Sequence, residues 1–158
     1  DGNPCQLDKF TKVIMVNLVG TFNVMSKCVA VMARNAPDDL GERGVVINVS
    51  SGAAYEGQIG QAGYSASKAG VIGMNMPAAR ELGAVGVRVN AIAPGLFLTQ
   101  MVKSLGEKVV VSLVDTVEAP RRAGDPMEFA HACQFIVENG YLNGETIRLD
   151  AATRLRAR

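Results

Sequence analysis

Val45-Val-Ile-Asn-Val49, Ser51 and Tyr64-Ser-Ala-Ser-Lys68 decide how this chain is read. The first is an apolar run after Gly44, rich in β-branched residues, as expected of a parallel strand buried on both faces. A loop rich in Gly and Ala follows, and Ser51 stands at the strand's end. Tyr64 and Lys68, four residues apart, share one face of a predicted helix, and a serine at a strand end can reach that face. A hydroxyl pair beside an ammonium is an acid–base device for a carbonyl or an alcohol. A free phenol has a pKa of ~10, so a neighbouring Lys⁺ that favours the phenolate would bring it toward neutrality. Tyr64 would then exchange the proton of a substrate hydroxyl. Plainer readings exist: a surface i,i+4 pair for Tyr64 and Lys68, a cap or loop hydroxyl for Ser51. The joint spacing of the three favours the chemical one.

The flanking segments alternate. From Leu7 to about Met32, Phe10, Val13, Ile14, Leu18, Phe22, Met25, Val29 and Met32 recur at helical period, and Asn35-Ala-Pro-Asp-Asp39 breaks the pattern. A second helix is predicted from near Tyr64 to Leu82, ending over Gly83 to Gly86. Arg88-Val-Asn-Ala-Ile92 reads as the next strand, stopped by Pro94-Gly95. Thr99 to Val114 reads as one or two short helices and Asp115 to Gly124 as a loop. Asp125-Pro-Met-Glu128 starts a helix, with Asp at the cap, Pro in the first turn and Glu three residues after the cap. That helix is expected to reach Glu138, with turns at Asn139-Gly140 and Asn143-Gly144 before a last strand, Glu145 to Leu149. Helix and strand in alternation imply an α/β fold with a parallel sheet and right-handed crossovers. Pro94-Gly95 would lie at the C-terminal sheet edge, where open α/β folds bind ligands.

Composition fits a globular α/β piece: 158 residues, 48% hydrophobic, 20% charged and a net charge of +1. Nothing in that balance points to nucleic acid, and Arg154-Leu-Arg-Ala-Arg158 reads as a short solvated end. Cys5, Cys28 and Cys133 are odd in number and widely spaced, which suits a reducing compartment better than a disulfide framework. No uninterrupted apolar run approaches the ~18 residues of a membrane span, and no signal peptide is visible, so no membrane partner is expected. His131, the only histidine, has no metal-ligand partner near it, and no metal site is expected.

Asn17-Leu-Val-Gly20, Asn48-Val-Ser-Ser51, Tyr64 to Lys68, Arg88-Val-Asn-Ala-Ile-Ala-Pro-Gly95 and Leu142-Asn-Gly-Glu145, in this order and spacing, resemble the short-chain dehydrogenase/reductase family. Glu56-Gly-Gln-Ile-Gly-Gln61, Ala93-Pro-Gly-Leu-Phe97 and Leu142-Asn-Gly-Glu-Thr-Ile-Arg-Leu-Asp150 resemble its branch acting on 3-hydroxyacyl-CoA thioesters and hydroxysteroids. The resemblance implies the C-terminal half of a doubly wound, Rossmann-type domain over residues 1–158. No Gly-x-x-x-Gly-x-Gly run, which in the family cradles the cofactor pyrophosphate, occurs in the sequence. The chain is therefore read as a partial domain with its first half cut off.

By resemblance, Ser51, Tyr64, Lys68 and Asn17 form a catalytic tetrad. Tyr64 would be the acid or base, and Ser51 would hydrogen-bond the substrate oxygen. Lys68 would tune Tyr64 and hold the nicotinamide ribose, and Asn17 would order a water beside Lys68. Read from residues alone, a helical Asn is ordinarily a local hydrogen-bonding group. The resemblance also implies cofactor contacts from the backbone of Pro94, Gly95, Leu96 and Phe97 and the Thr99 hydroxyl. Gln58 and Gln61 fit a substrate-facing loop and solvated loop amides equally well. In the variable lid expected from Leu98 to Val114, Met101, Val102, Leu105 and Val109 suit either an apolar substrate or ordinary packing.

The implied activity is an NAD-dependent, or NADP-dependent, interconversion of a secondary alcohol and a ketone. The NAD preference follows from the branch resemblance alone. A homotetramer is implied, in the cytoplasm or, in a eukaryote, the mitochondrial matrix. The alternatives are a truncated, non-catalytic oligomerisation chain of the same family, separated by whether a glycine fingerprint lies upstream, and a relative using Tyr and Lys for epimerisation or dehydration.

Overall fold

The computed structural model describes residues 4–104 and 106–157. Three parallel strands form the sheet: β1 (Gly44–Val49), β2 (Val87–Pro94) and β3 (Thr146–Leu149), in spatial order β1-β2-β3. The register pairs Val49 with Ile92 and Pro94 with Leu149, so all three C-terminal ends lie along one edge. Backbone bonds extend the ladder past that edge, Ser50 N to Ile92 O at 2.8 Å and Gly95 N to Leu149 O at 2.9 Å.

The long N-terminal helix is divided. α1 (Leu7–Ile14) and α2 (Gly20–Met32) flank a π-helical turn, Met15–Val19, closed by Gly20 N on Met15 O. Across the β1–β2 crossover runs α3 (Ala62–Leu82), followed by a 3₁₀ turn to Val85 and by Gly86 at φ 74°, a left-handed stop that favours glycine. Two short helices, α4 (Gln100–Lys103) and α5 (Glu107–Val114), precede α6 (Pro126–Glu138). α6 starts as the sequence predicts, with Asp125 and Glu128 forming a complete capping box. Leu105, counted in the lid, lies outside the described residues, as does the side chain of Met101.

Alternation along β2 sorts the helices. Val87 and Val89 face α2 and α3, where they join Met25, Val29 and Ala79 in one buried cluster. Arg88 and Asn90 point the other way, toward α6 and the loop after it. Arg88 is only 6% exposed. It forks onto both Glu42 oxygens at 2.8 and 2.9 Å and also donates to Ile136 O, Leu142 O and Val137 O. Asn90 gives its amide to Leu142 O and accepts from Glu145 N. A charge and an amide in the central strand are thus satisfied, as their burial demands.

Two features differ from the expectation. The helix from Leu7 to Met32 reaches a mean hydropathy of 1.5, long and apolar enough by that measure to cross a membrane. Reading unbroken apolar runs missed this because Asn17, Asn23 and Lys27 interrupt them. In the fold its Met25 and Val29 enter the core beneath the sheet. The C-terminal tail is not merely a solvated end: Thr153 is buried, and Ala157 O accepts from Ile59 N at 3.0 Å.

Candidate active site

The close approach of α1 and α3 builds the site. Gly63 and Gly70 lie one turn either side of Ser67 on the α3 face that meets the N-terminal helix. A Cβ at Gly70 would stand 2.7 Å from Leu18 Cδ2, and one at Gly63 would stand 3.3 Å from the Phe10 ring. This approach lets Asn17, in the π turn, reach α3, where its Nδ2 donates to Ser67 Oγ at 3.1 Å. Ser67, fully buried, donates in turn to Tyr64 O at 2.7 Å. Asn17 therefore joins the turn that carries Tyr64 and Lys68. Its amide is spent on Ser67, so any water it orders beside Lys68 would have to use its remaining groups.

Lys68 is held from two sides. Its Nζ donates to Val49 O at 3.0 Å, and its own carbonyl accepts from Ser50 Oγ at 2.8 Å. Ser50, 2% exposed, is thus the residue that pins α3 to the end of β1. The sequence carries a signal for it: strand alternation points Asn48 and Ser50 inward together, and points Ser51 to the other side. Burial pulls the Lys68 pKa below its ordinary value, because desolvation disfavours the ammonium. Its Nζ lies 5.8 Å from the Tyr64 ring centroid. Tyr64 is 37% exposed, so its phenol is open to an incoming molecule.

Ser51 Oγ accepts from Ala53 N at 3.1 Å and caps the short 3₁₀ turn Gly52–Ala54. That fixes the oxygen and leaves the O–H for another acceptor. Gln58 and Gln61 bond to each other, Gln61 Nε2 to Gln58 Oε1 at 3.1 Å, immediately before α3. At the next strand end, Leu96 and Leu98 are tied to Gly124 by backbone bonds, and the Phe97 ring meets Phe129 edge-on at 5.8 Å. The Phe97 ring thus packs on α6. Thr99 Oγ1 caps α4 through Val102 N at 3.5 Å.

Beside β1, an open groove of about 660 Å³ runs between the strand and α2, walled by Val16, Val24, Met25 and Val45 to Val49, with Lys68 the one charged lining residue among the described residues. Among the described residues no group of three His, Cys, Asp or Glu side chains is placed to hold a metal ion.

A family profile described as short chain dehydrogenase matches residues 3–110. The chain belongs to the short-chain dehydrogenase family. It is 53% identical to 3-hydroxyacyl-CoA dehydrogenase type-2 of Rattus norvegicus over 95% of its length, and 53% identical to that of Homo sapiens over 98%. The crystal structure of 3-hydroxyacyl-CoA dehydrogenase type-2 from Mycobacterium avium superposes with a TM-score of 0.96 at 46% identity. That match covers 100% of this chain and 61% of the other. The chain spans 58% and 59% of the length of the rat and human relatives. Its fold is accordingly part of the family's Rossmann-like α/β domain.

The family implies a dinucleotide, and the residues present fit one end of it. The half-buried Lys68 ammonium at the end of β1 suits a nicotinamide riboside, whose sugar hydroxyls can accept from it. Nothing in this sequence supplies a glycine cradle for the pyrophosphate.

Proposed function

We propose that the protein to which this chain belongs is an NAD(P)-dependent oxidoreductase that interconverts a secondary alcohol and a ketone, acting on a 3-hydroxyacyl-CoA thioester or a hydroxysteroid. The observation that carries the reading is the bracing of Lys68, through Val49 O and Ser50 Oγ, one helical turn from Tyr64. The names of the relatives support the thioester over the steroid. Its working form is a homotetramer, which would cover the outward apolar side chains Met15, Val19 and Phe22.

In the direction of reduction, Ser51 O–H donates to the substrate carbonyl and orients it, and Tyr64 O–H delivers the proton that makes the carbonyl oxygen a hydroxyl. In oxidation Tyr64 takes that proton back. Lys68 stays beside the phenol and offsets the negative charge that builds on it. Asn17 and Ser67 hold the turn of α3 in place. Lys68, the backbone of Pro94 to Phe97 and Thr99 would hold the nicotinamide cofactor, which supplies or accepts the hydride at the substrate carbon. An upstream segment with the glycine fingerprint would cover the groove along β1.

The test is NADH oxidation by the full-length protein with acetoacetyl-CoA and, separately, a steroid ketone. Turnover of the thioester that falls at least ~100-fold in Ser51→Ala supports the reading. A full-length protein that binds NADH and reduces neither compound would overturn it.

A further inference from the structure

Three sequence stretches carry the resemblance to the acyl-CoA branch, and they lie far apart in the chain: 56–61, 93–97 and 142–150. In the fold they converge on Arg148. Its Nη1 and Nη2 fork onto Glu56 Oε1 and Oε2 at 2.9 and 2.7 Å, and its Nε donates to Asp150 Oδ2 at 2.6 Å. Nη2 also reaches Thr153 O at 3.2 Å, and the guanidinium lies over the Tyr55 ring, 4.7 Å from its centroid. Gly95 packs against Asp150: a Cβ there would stand 2.8 Å from Asp150 Cα.

The tail needs holding. After β3 it reverses through Ala151 and Ala152 at φ 50° and 59°, left-handed positions where alanine is strained. It then crosses to the loop after β1, where Ala157 O meets Ile59 N and Arg154 bridges Asp150 and Glu56 at 3.3 and 3.4 Å. Between loop and tail lies a cavity of about 130 Å³, lined by Ser51, Ala53, Pro94, Leu113, Thr153 and Leu155. A cavity of ~150 Å³ holds a benzene-sized group, so this one has room for a short acyl chain. Ser51, whose hydroxyl would bind the substrate oxygen, is one of its lining residues.

We infer that Arg148 is a positioning residue for the acyl end of the substrate: by pinning Glu56 to Asp150 and Thr153 O it fixes the tail that walls the cavity beside Ser51. The inference deepens the proposed function and rests on it for the identity of the acyl group. Arg148 bonds to Glu56, Asp150 and Thr153 O and meets the Pro94–Phe97 backbone only indirectly, through Asp150 against Gly95, so its effect falls on the substrate wall before the dinucleotide. Neutral and lysine replacements differ in what they keep: Gln loses the charge and the fork, and Lys loses only the fork.

The experiment uses the full-length protein with NADH and acetoacetyl-CoA. Arg148→Gln should raise KM for acetoacetyl-CoA about tenfold or more, as expected of a small misplacement near reacting atoms. NADH affinity, read by nicotinamide fluorescence, should stay unchanged. Arg148→Lys should fall between, and Glu56→Gln, a milder change, should raise KM in the same sense. The double variant Glu56→Gln with Arg148→Gln should be little worse than Arg148→Gln alone, because both remove the same fork and the other ion pair lost with Glu56 is the longer one to the exposed Arg154. A folded Arg148→Gln protein with unchanged KM overturns the inference, as does a loss shared equally by NADH binding. Hydrogen exchange at the amides of residues 56–61 tests the clamp without substrate. If wild-type protein fails to reduce acetoacetyl-CoA but Arg148→Gln speeds that exchange, the substrate reading fails and the clamp stands. Unchanged exchange overturns the clamp.

Discussion

Asn17 Nδ2 donates to Ser67 Oγ at 3.1 Å, and that buried hydroxyl donates to Tyr64 O at 2.7 Å, so the N-terminal helix and the helix of Tyr64 are joined at the site itself. Ser67→Ala removes both bonds and leaves the Asn17 amide without this acceptor. The expected cost is about 2 kcal/mol, the net worth of two such bonds, measured as a shift in the urea midpoint. Ser67→Cys, with its weaker donor and acceptor, should lie between the two.

Arg88 is the strongest single lock on the fold. It is buried, and its whole fork is bonded, to Glu42 and to three carbonyls around the end of α6. Arg88→Ala leaves those acceptors and the Glu42 charge uncompensated, so it should cost about 3–5 kcal/mol of unfolding free energy. Arg122→Ala removes a surface pair with Glu128 whose side chains are 51% and 43% exposed, and its effect on the same urea curve should be far smaller.

The start of α6 offers a separable test. Asp125 accepts from Met127 N at 2.8 Å, and Glu128 Oε2 accepts from Asp125 N at 2.7 Å. Asp125→Ala should destabilise by about 1 kcal/mol, and Asp125→Ser by much less.

Acid should release two carboxylates. The Arg122 fork holds the Glu128 pKa down from an ordinary 4.5 to about 2. The Arg148 fork lowers that of Glu56. In both cases the folded state binds its proton less readily than the unfolded chain. The stabilisation from Glu128, small because solvent screens the exposed pair, is present above pH 4.5 and lost as pH falls toward about 2, and that from Glu56 is lost in the same direction as its carboxylate is protonated. Urea midpoints taken across that range should fall with pH in the wild type, and less steeply in Glu128→Gln and Glu56→Gln.

Much of this was legible in the chain because it is local. The capping box of α6, the β-branched run of β1 and the Tyr64–Lys68 spacing depend on residues within a few positions of one another, and each appears where the sequence places it. The π turn at Met15–Val19 was not legible, since it follows from how Leu18 seats over Gly70, fifty-two residues away. Arg148 gave no signal for the same reason: Glu56 lies 92 residues upstream. Ser50 and Ser51 look alike in the sequence, and strand alternation is what separates their roles. The tail's arginines look solvated in the sequence, while in the fold Arg154 bridges Asp150 and Glu56, Ala157 O accepts from Ile59 N, and Thr153 just before them is buried.

The most direct measurement is steady-state turnover of acetoacetyl-CoA by full-length Tyr64→Phe, with NADH affinity followed in parallel by fluorescence. Loss of the phenolic O–H alone should lower kcat by at least ~100-fold while NADH binding stays intact. Turnover equal to that of the wild type would contradict the role of Tyr64 as the group that moves the proton, and with it the reading of the whole site.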